Sequence, residues 1–204
     1  MINADAAPGG RGKFLLTLAL ALALSGCSVF RGPPPETYNL SAPESIEPGR
    51  RAIAAQILIP EPSALAALNT DRIVVTSGPR ISYYPDAQWP DRLPKLLQAK
   101  AVEAFERSRQ ARAVGRPGEG LSIDYQLLID IRSFAFVAGE GGGVARIEIS
   151  ARILNDRNGR VVSTTNLKGE APVPSDNASA VVAGLDAALN EVLVQLVKWT
   201  AGRI

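Results

Sequence analysis

The chain has 204 residues, 46% of them hydrophobic, and 22 Lys and Arg against 20 Asp and Glu give a formal charge of +2. A balance this even, with no basic stripe, predicts no nucleic-acid partner. Histidine is absent and cysteine occurs once, which excludes a Ser-His-Asp triad, a Cys-His pair, a histidine-ligated metal and an intrachain disulfide. No catalytic residue and no metal site are expected.

The chain begins with the pattern of an export signal: Arg11 and Lys13 as a positive region, an apolar run from Phe14 to Leu24, and small residues after it. The run is shorter than the roughly 20 residues that cross a bilayer, so a cleaved leader over residues 1–26 is expected instead of a spanning helix. Leu24-Ser25-Gly26-Cys27 resembles a lipobox, the site at which bacterial lipoproteins are lipidated on the cysteine. The resemblance implies covalent diacylglycerol and an acyl chain on Cys27, and no other cofactor. At about 0.8 kcal/mol per buried methylene, two or three such chains hold a protein on a membrane almost irreversibly. Ser28 follows the cysteine, where an aspartate commonly retains lipoproteins at the inner membrane. That implies the periplasmic face of the outer membrane in preference to the inner. Residues 27–36, with Pro33-Pro34-Pro35, read as an extended spacer, and residues 37–204 as one periplasmic α+β domain.

Short strands are expected first, over Thr37 to Leu40, Ala52 to Ile59, Arg72 to Thr76 and Arg80 to Tyr84. Ser77-Gly78-Pro79 makes the last two a hairpin, and Ser63 to Asn69 suggests a helical turn. A helix then starts at Asp91 as N-cap, with Pro94 in its first turn and Leu93, Leu96, Leu97, Ala101, Ala104, Phe105 and Ser108 on one face. It is expected to run to Gly115, ended by Gly115, Pro117, Gly118 and Gly120. Arg107, Arg109, Arg112 and Arg116 then fall near its end, where cations complement the helix dipole. A solvated helix end is preferred there to a phosphate or anionic-lipid contact.

Leu121, Ile123, Tyr125, Leu127, Ile129 and Ile131 alternate as a strand buried on one face, and Phe134 and Phe136 shift the phase by one, which a bulge near Arg132 and Ser133 or the end of the strand there would explain. Ala145 to Ile153 forms the clearest amphipathic strand, and Asn158-Gly159 turns it into Val161 to Glu170. A last helix spans about Asn177 to Thr200, with Val181, Leu185, Leu189, Val192, Leu196 and Trp199 facing the core and Leu193 and Val197 widening the stripe. The expected fold is α+β, an antiparallel sheet with two main helices packed on one face.

Three motifs invite chemistry. Gly139-Glu140-Gly141-Gly142-Gly143 lacks the Gly-Lys-Ser or Gly-Lys-Thr helix start of a phosphate loop and reads as a flexible hairpin connection, with a partner-binding loop as the lesser alternative. Asp124 and Asp130 share a strand face, but six residues at about 3.3 Å each place them roughly 20 Å apart, too far for paired glycosidase carboxylates. Solvated positions on an exposed sheet face are the better reading. Tyr83, Tyr84 and Trp89 read mainly as core and edge packing, with a lipid or partner contact as the functional alternative.

Taken with the lipobox, the segments Tyr38-Asn39-Leu40, Arg72-Ile73-Val74-Val75, Ile81-Ser82-Tyr83-Tyr84 with Trp89, and the leucine-striped helix from Leu93 resemble the ABC-type transport auxiliary lipoproteins. The resemblance implies a non-catalytic, lipid-anchored accessory component. Its partners would be an MCE-domain protein and the ABC permease and ATPase of an envelope lipid transporter, which the lipoprotein would link to the outer membrane. Assembly into a homo-oligomer stays open. The alternative is an outer-membrane assembly lipoprotein or one that activates a cell-wall synthase.

Overall fold

The computed structural model describes residues 33–47 and 53–204, so the leader and the lipobox, Leu24 to Cys27, lie outside the described residues. Pro35–Ile204 forms one compact unit. Its elements are β1 (Glu36–Thr37), β2 (Ile53–Leu58), β3 (Ser63–Ala64), β4 (Arg72–Ser77), β5 (Arg80–Gln88), α1 (Leu93–Ser108), β6 (Ala111–Gly115), β7 (Tyr125–Gly139), β8 (Gly142–Asn155), β9 (Val161–Val173) and α2 (Ala178–Ala201).

Strand β7 is the spine of the sheet. One edge pairs antiparallel with β8 along the whole strand, and β8 pairs antiparallel with β9. The other edge is shared by three short parallel strands in succession: β2 at Tyr125 and Gln126, β3 at Asp130 and Ile131, and β4 at Phe136 and Val137. The β7–β8–β9 meander and the β4–β5 hairpin are as the alternation and turn signals predict. The sheet as a whole is mixed, however, because β2, β3 and β4 all run in the direction of β7, while β1 runs parallel to β5 and β6 parallel to β2. Parallel partners come from distant segments, so no local turn marks them.

The predicted bulge is present: Ile131 opposes Ile149, yet Ser133 opposes Glu148, leaving Arg132 as the extra residue. Without that insertion Phe134 and Phe136, now 1% and 0% exposed, would face away from the core. Burying each ring is worth about 1.5–3 kcal/mol, which outweighs one unpaired position in the ladder.

Several boundaries depart from the sequence pattern, the first strand among them, which spans Glu36–Thr37 in place of Thr37 to Leu40. Helix α1 ends at Ser108, because Arg109 takes a left-handed conformation with φ of 51° as its C-cap. Ala111–Gly115 is then a strand, so Arg109, Arg112 and Arg116 do not share a helix end. Asp91 is not the N-cap: Arg92 occupies that position with no side-chain cap, while the Asp91 carboxylate accepts the Arg92 amide at 2.8 Å and pairs with Lys95 at 2.6 Å. Leu121 to Asp124 precede the strand that starts at Tyr125. Ser63 and Ala64 pair with β7 before the chain turns over Leu65 to Asn69.

Both helices lie on one face of the sheet. The apolar residues of α1 named above are all buried, and its Gln98 amide donates to the Ile59 carbonyl at 2.8 Å. Helix α2 starts at Asn177, whose side chain accepts from the Ala180 amide, as the sequence predicts. Val181, Leu185, Leu189, Val192, Leu193, Leu196 and Val197 are fully buried, whereas Trp199 is half-buried. By length and hydropathy α2 resembles a membrane span, but this stripe packs on β8 and β9 and makes it the core helix of the domain.

Helix and sheet meet most closely at two glycines. A Cβ on Gly169 would stand 2.3 Å from the Ala188 carbonyl oxygen, and one on Gly184 would stand 2.6 Å from Val173. Since neither backbone can retreat without opening the core, Gly169→Ala should destabilise the domain by about 1–3 kcal/mol. Thermal melts measure this, and an unchanged midpoint would show that α2 is free to lift from β9.

Candidate functional site

The aromatic segment of β5 divides across the sheet. Val74 opposes Tyr83 and Arg72 opposes Gln88, so Tyr84 to Ala87 face a single residue of β4, with Asp86 left-handed at φ of 52°. This wide bulge turns the strand end inward. Trp89, 2% exposed, donates its amide to the Asp71 carbonyl and meets Phe134 edge-on, with ring centroids 6.1 Å apart at 88°. Trp89 is therefore a core residue. Tyr83 lies on the opposite face beneath Arg72, whose guanidinium carbon is 3.9 Å from the ring centre. Tyr84 faces the start of α2, where burial, followed by a hydrogen bond with Asp176, raises its phenol above the ordinary value. The three aromatics form no common surface.

A different group of residues holds the chain just behind the Pro-rich segment. Strand β1 pairs with β5, Glu36 opposite Ala87 and Thr37 opposite Gln88, and the Tyr38 amide donates to the Gln88 carbonyl at 2.9 Å. The Tyr38 hydroxyl donates to Glu36, a bond that raises the phenol pKa. Farther on, the Ser41 amide and hydroxyl both donate to Asp186 of α2, the hydroxyl at 2.7 Å, and Asn190 donates to the same hydroxyl at 3.0 Å. Arg107 of α1 donates to the Ala42 and Pro43 carbonyls at 2.7 and 3.2 Å. Leu40, Ala42 and Ile46 are buried. Residues 36–46 thus form a belt fastened to β5, α2 and α1 in turn. The sequence marks it only by Tyr38-Asn39-Leu40, because its partners Arg107 and Asp186 are remote along the chain.

The carboxylates of the sheet are used structurally. Asp124 accepts the Gln56 amide at 3.1 Å and the Arg157 guanidinium at 2.9 Å, joining β2 to the β8–β9 turn at the start of β7. These partners hold its pKa below the ordinary value, the Gln56 amide foremost. Asp130 pairs with Arg132 at 2.9 Å and accepts from the Ser63 hydroxyl at 3.2 Å. Neither is the freely solvated group suggested by its strand position. The β7–β8 connection is tighter than expected, a two-residue turn at Glu140 and Gly141 with Gly141 left-handed at φ of 71°. At the β8–β9 turn Asn155 bonds Arg160 across four residues, and Gly159 alone is left-handed.

Among the described residues, an open cleft of about 330 Å³ is lined by Ile53, Tyr125, Arg157 and Ile204, and another of about 400 Å³ lies between the end of α1 and β6. Among the described residues no three His, Cys, Asp or Glu side chains gather as a metal site. Asp124, Asp130, Asp186 and Arg107 thus serve the architecture of an α+β domain.

Residues 38–197 match the family model described as ABC-type transport auxiliary lipoprotein component. The chain belongs to this family. It is 36% identical over 164 residues to the uncharacterized protein bll6063 of Bradyrhizobium diazoefficiens, an alignment that spans 80% of this chain and 44% of that protein. The crystal structure of protein XCC0632 from Xanthomonas campestris is similar with a TM-score of 0.75 and 31% identity, over 82% of this chain and 96% of that one. Protein CT253 from Chlamydia trachomatis shares the fold alone, with a TM-score of 0.53 and 6% identity over 74% and 97%.

Two predictions follow from the geometry. Asp186→Ala removes the acceptor for both Ser41 groups, and hydrogen bonds to a charged partner are worth about 1.5–3 kcal/mol. Amide exchange over residues 38–46 should accelerate while α2 stays protected, and an unaltered exchange pattern would refute the clamp. Asp124, with its pKa lowered on folding, contributes stability that is complete above the unfolded carboxylate pKa of about 3.9 and lost as pH falls through the lower folded value. Denaturation curves for Asp124→Asn should accordingly converge on those of the parent in acid, and a gap that persists at the lowest pH would count against this role.

Proposed function

We propose that the chain is a lipid-anchored, non-catalytic link between the outer membrane and an ABC/MCE-type envelope lipid transporter. The observation that carries the reading is the match of residues 38–197 to the auxiliary lipoprotein component of ABC-type transport. On this reading residues 1–26 are the signal peptide, residues 27–36 the lipidated cysteine and spacer, and residues 37–204 the periplasmic domain. Cys27 within Leu24-Ser25-Gly26-Cys27 carries diacylglycerol and an acyl chain, and Ser28 favours delivery to the outer membrane.

The belt over residues 36–46 supports a tether. A lipid-bearing N-terminus must transmit restraint to a folded body, and this segment is fastened to both helices and to β5 directly after Pro33-Pro34-Pro35. A tethered domain is held near its partner at high effective concentration, so a weak direct interface with the MCE-domain protein suffices. The domain's part is to bind and position, while permease and ATPase supply transport.

Cys27→Ala should abolish incorporation of a tagged fatty acid and release the chain from membranes. Crosslinking with mass spectrometry on the lipidated full chain in its own envelope should recover the MCE-domain protein. Persistent labelling of the variant would overturn the anchor. Recovery of a β-barrel assembly protein or a cell-wall synthase in place of the MCE protein would overturn the transporter assignment and favour the assembly-lipoprotein reading.

A further inference from the structure

The sheet face opposite the helices is not uniformly polar. Toward its middle it carries the cross-strand pairs Arg146–Glu170 and Glu148–Lys168, at 2.6 and 3.2 Å. Nearer the β4–β5 and β7–β8 turns the register aligns Ile81, Thr76, Val137, Val144 and Pro172 side by side across five strands. Four of these five are apolar, and Ile81 is 58% exposed. Tyr83 lies beside this row on the same face, with its hydroxyl 3.5 Å from the Ala67 carbonyl, and the turn containing Ala67 carries Leu65, 74% exposed. Large apolar side chains this exposed are few among the described residues, and Ile81 stands at this corner of the open face.

The direction of β1 relates this corner to the anchor. Because β1 is parallel to β5, with Glu36 opposite Ala87, the chain enters β1 from the side on which β5 begins, which is the side of Ile81. The β4 partners of Ile81 and Gln88 are Thr76 and Arg72, four residues apart, a strand length of about 13 Å. Glu36 follows Cys27 by nine residue steps, a contour of at most about 30 Å. A lipid on Cys27 thus keeps the corner within reach of the bilayer. Arg80 and Glu140, both exposed at the adjoining turns, oppose each other in sign, so apolar contact and not a charge preference governs the fit.

We infer that this corner of the open sheet face, Ile81, Val137 and Val144, rests on the surface of the lipid bilayer that holds the anchor. The inference depends on the lipid-anchor reading of Cys27. A few exposed side chains bind a membrane weakly by themselves, but the tether supplies the local concentration that makes such contact persistent. The contact turns the helical layer away from the membrane.

The test uses the lipidated full chain with Ile81→Cys or Thr164→Cys, each labelled with an environment-sensitive fluorophore. Thr164 is exposed on the same face but pairs with Arg152, far from the corner. Lipidated Cys27 has no free thiol and takes no label. In vesicles of phosphatidylethanolamine and phosphatidylglycerol containing a phospholipid-borne quencher, the label at position 81 should be quenched at least about twofold more than the label at 164. Equal quenching, or none at 81, overturns the inference. A label at 81 that is shielded from aqueous iodide but untouched by the lipid quencher indicates a protein occupant, such as a second copy, and also overturns it. Mass analysis of the N-terminal peptide separates the two readings: a lipidated chain that fails the quenching test leaves the anchor standing, whereas an unlipidated Cys27 overturns both.

Discussion

Both edges of β7 are occupied, and the rest of the domain depends on that. A buried strand must find partners for its amides and carbonyls on each side, since an unpaired polar group in the core costs about 1–3 kcal/mol. On one side β8 provides them in a single antiparallel ladder. On the other side β2, β3 and β4 provide them in turn, so the first third of the domain is laid along a strand that appears only later in the chain. The bulge at Arg132 keeps this double pairing compatible with an apolar inner face, because it returns Phe134 and Phe136 to the side that the helices cover.

The parts of the fold legible in the sequence were those encoded by local period. The alternation of Ala145 to Ile153, the leucine stripe of α1, the start of the last helix near Asn177 and the phase shift around Arg132 each reflect a few neighbouring residues, and each appears in the structure at that place. Parallel pairing was not legible. It joins Ile57 to Tyr125 and Val75 to Phe136, and nothing within either segment names its partner. The end of α1 was misjudged for a related reason: Arg109 adopts a left-handed conformation usually left to Gly or Asn, so composition pointed to the later glycines. The tyrosine and tryptophan segment read mainly as core and edge packing, but its division was not legible: the bulge opposite Ile73 sends Trp89 into the core, Tyr84 toward α2 and Tyr83 to the opposite face.

Polar chemistry in this domain is spent on joining segments. Asp124 fastens β2 and a distant turn to the start of β7, Asp186 fastens the belt, and Arg107 takes up two carbonyls that would otherwise end unpaired against α1. Exposed pairs such as Arg146–Glu170 add little stability one by one, but they keep most of the open sheet face hydrophilic. The apolar corner near Ile81 therefore stands out by contrast with its surroundings.

The belt also fixes how the domain would carry a mechanical load. A pull on the N-terminal side of Glu36 meets β1 along its own axis, because β1 lies parallel to β5 and its two residues are bonded side by side. Bonds loaded in that direction share the force, whereas a hairpin pulled open at one end surrenders them one after another. Behind β1 the Ser41–Asp186 clamp and the Arg107 carbonyl bonds form separate stops on the two helices. Tension delivered through a tether would reach the core of the domain only after these stops had failed in sequence, so the helical layer would keep its shape while the N-terminal segment yielded first.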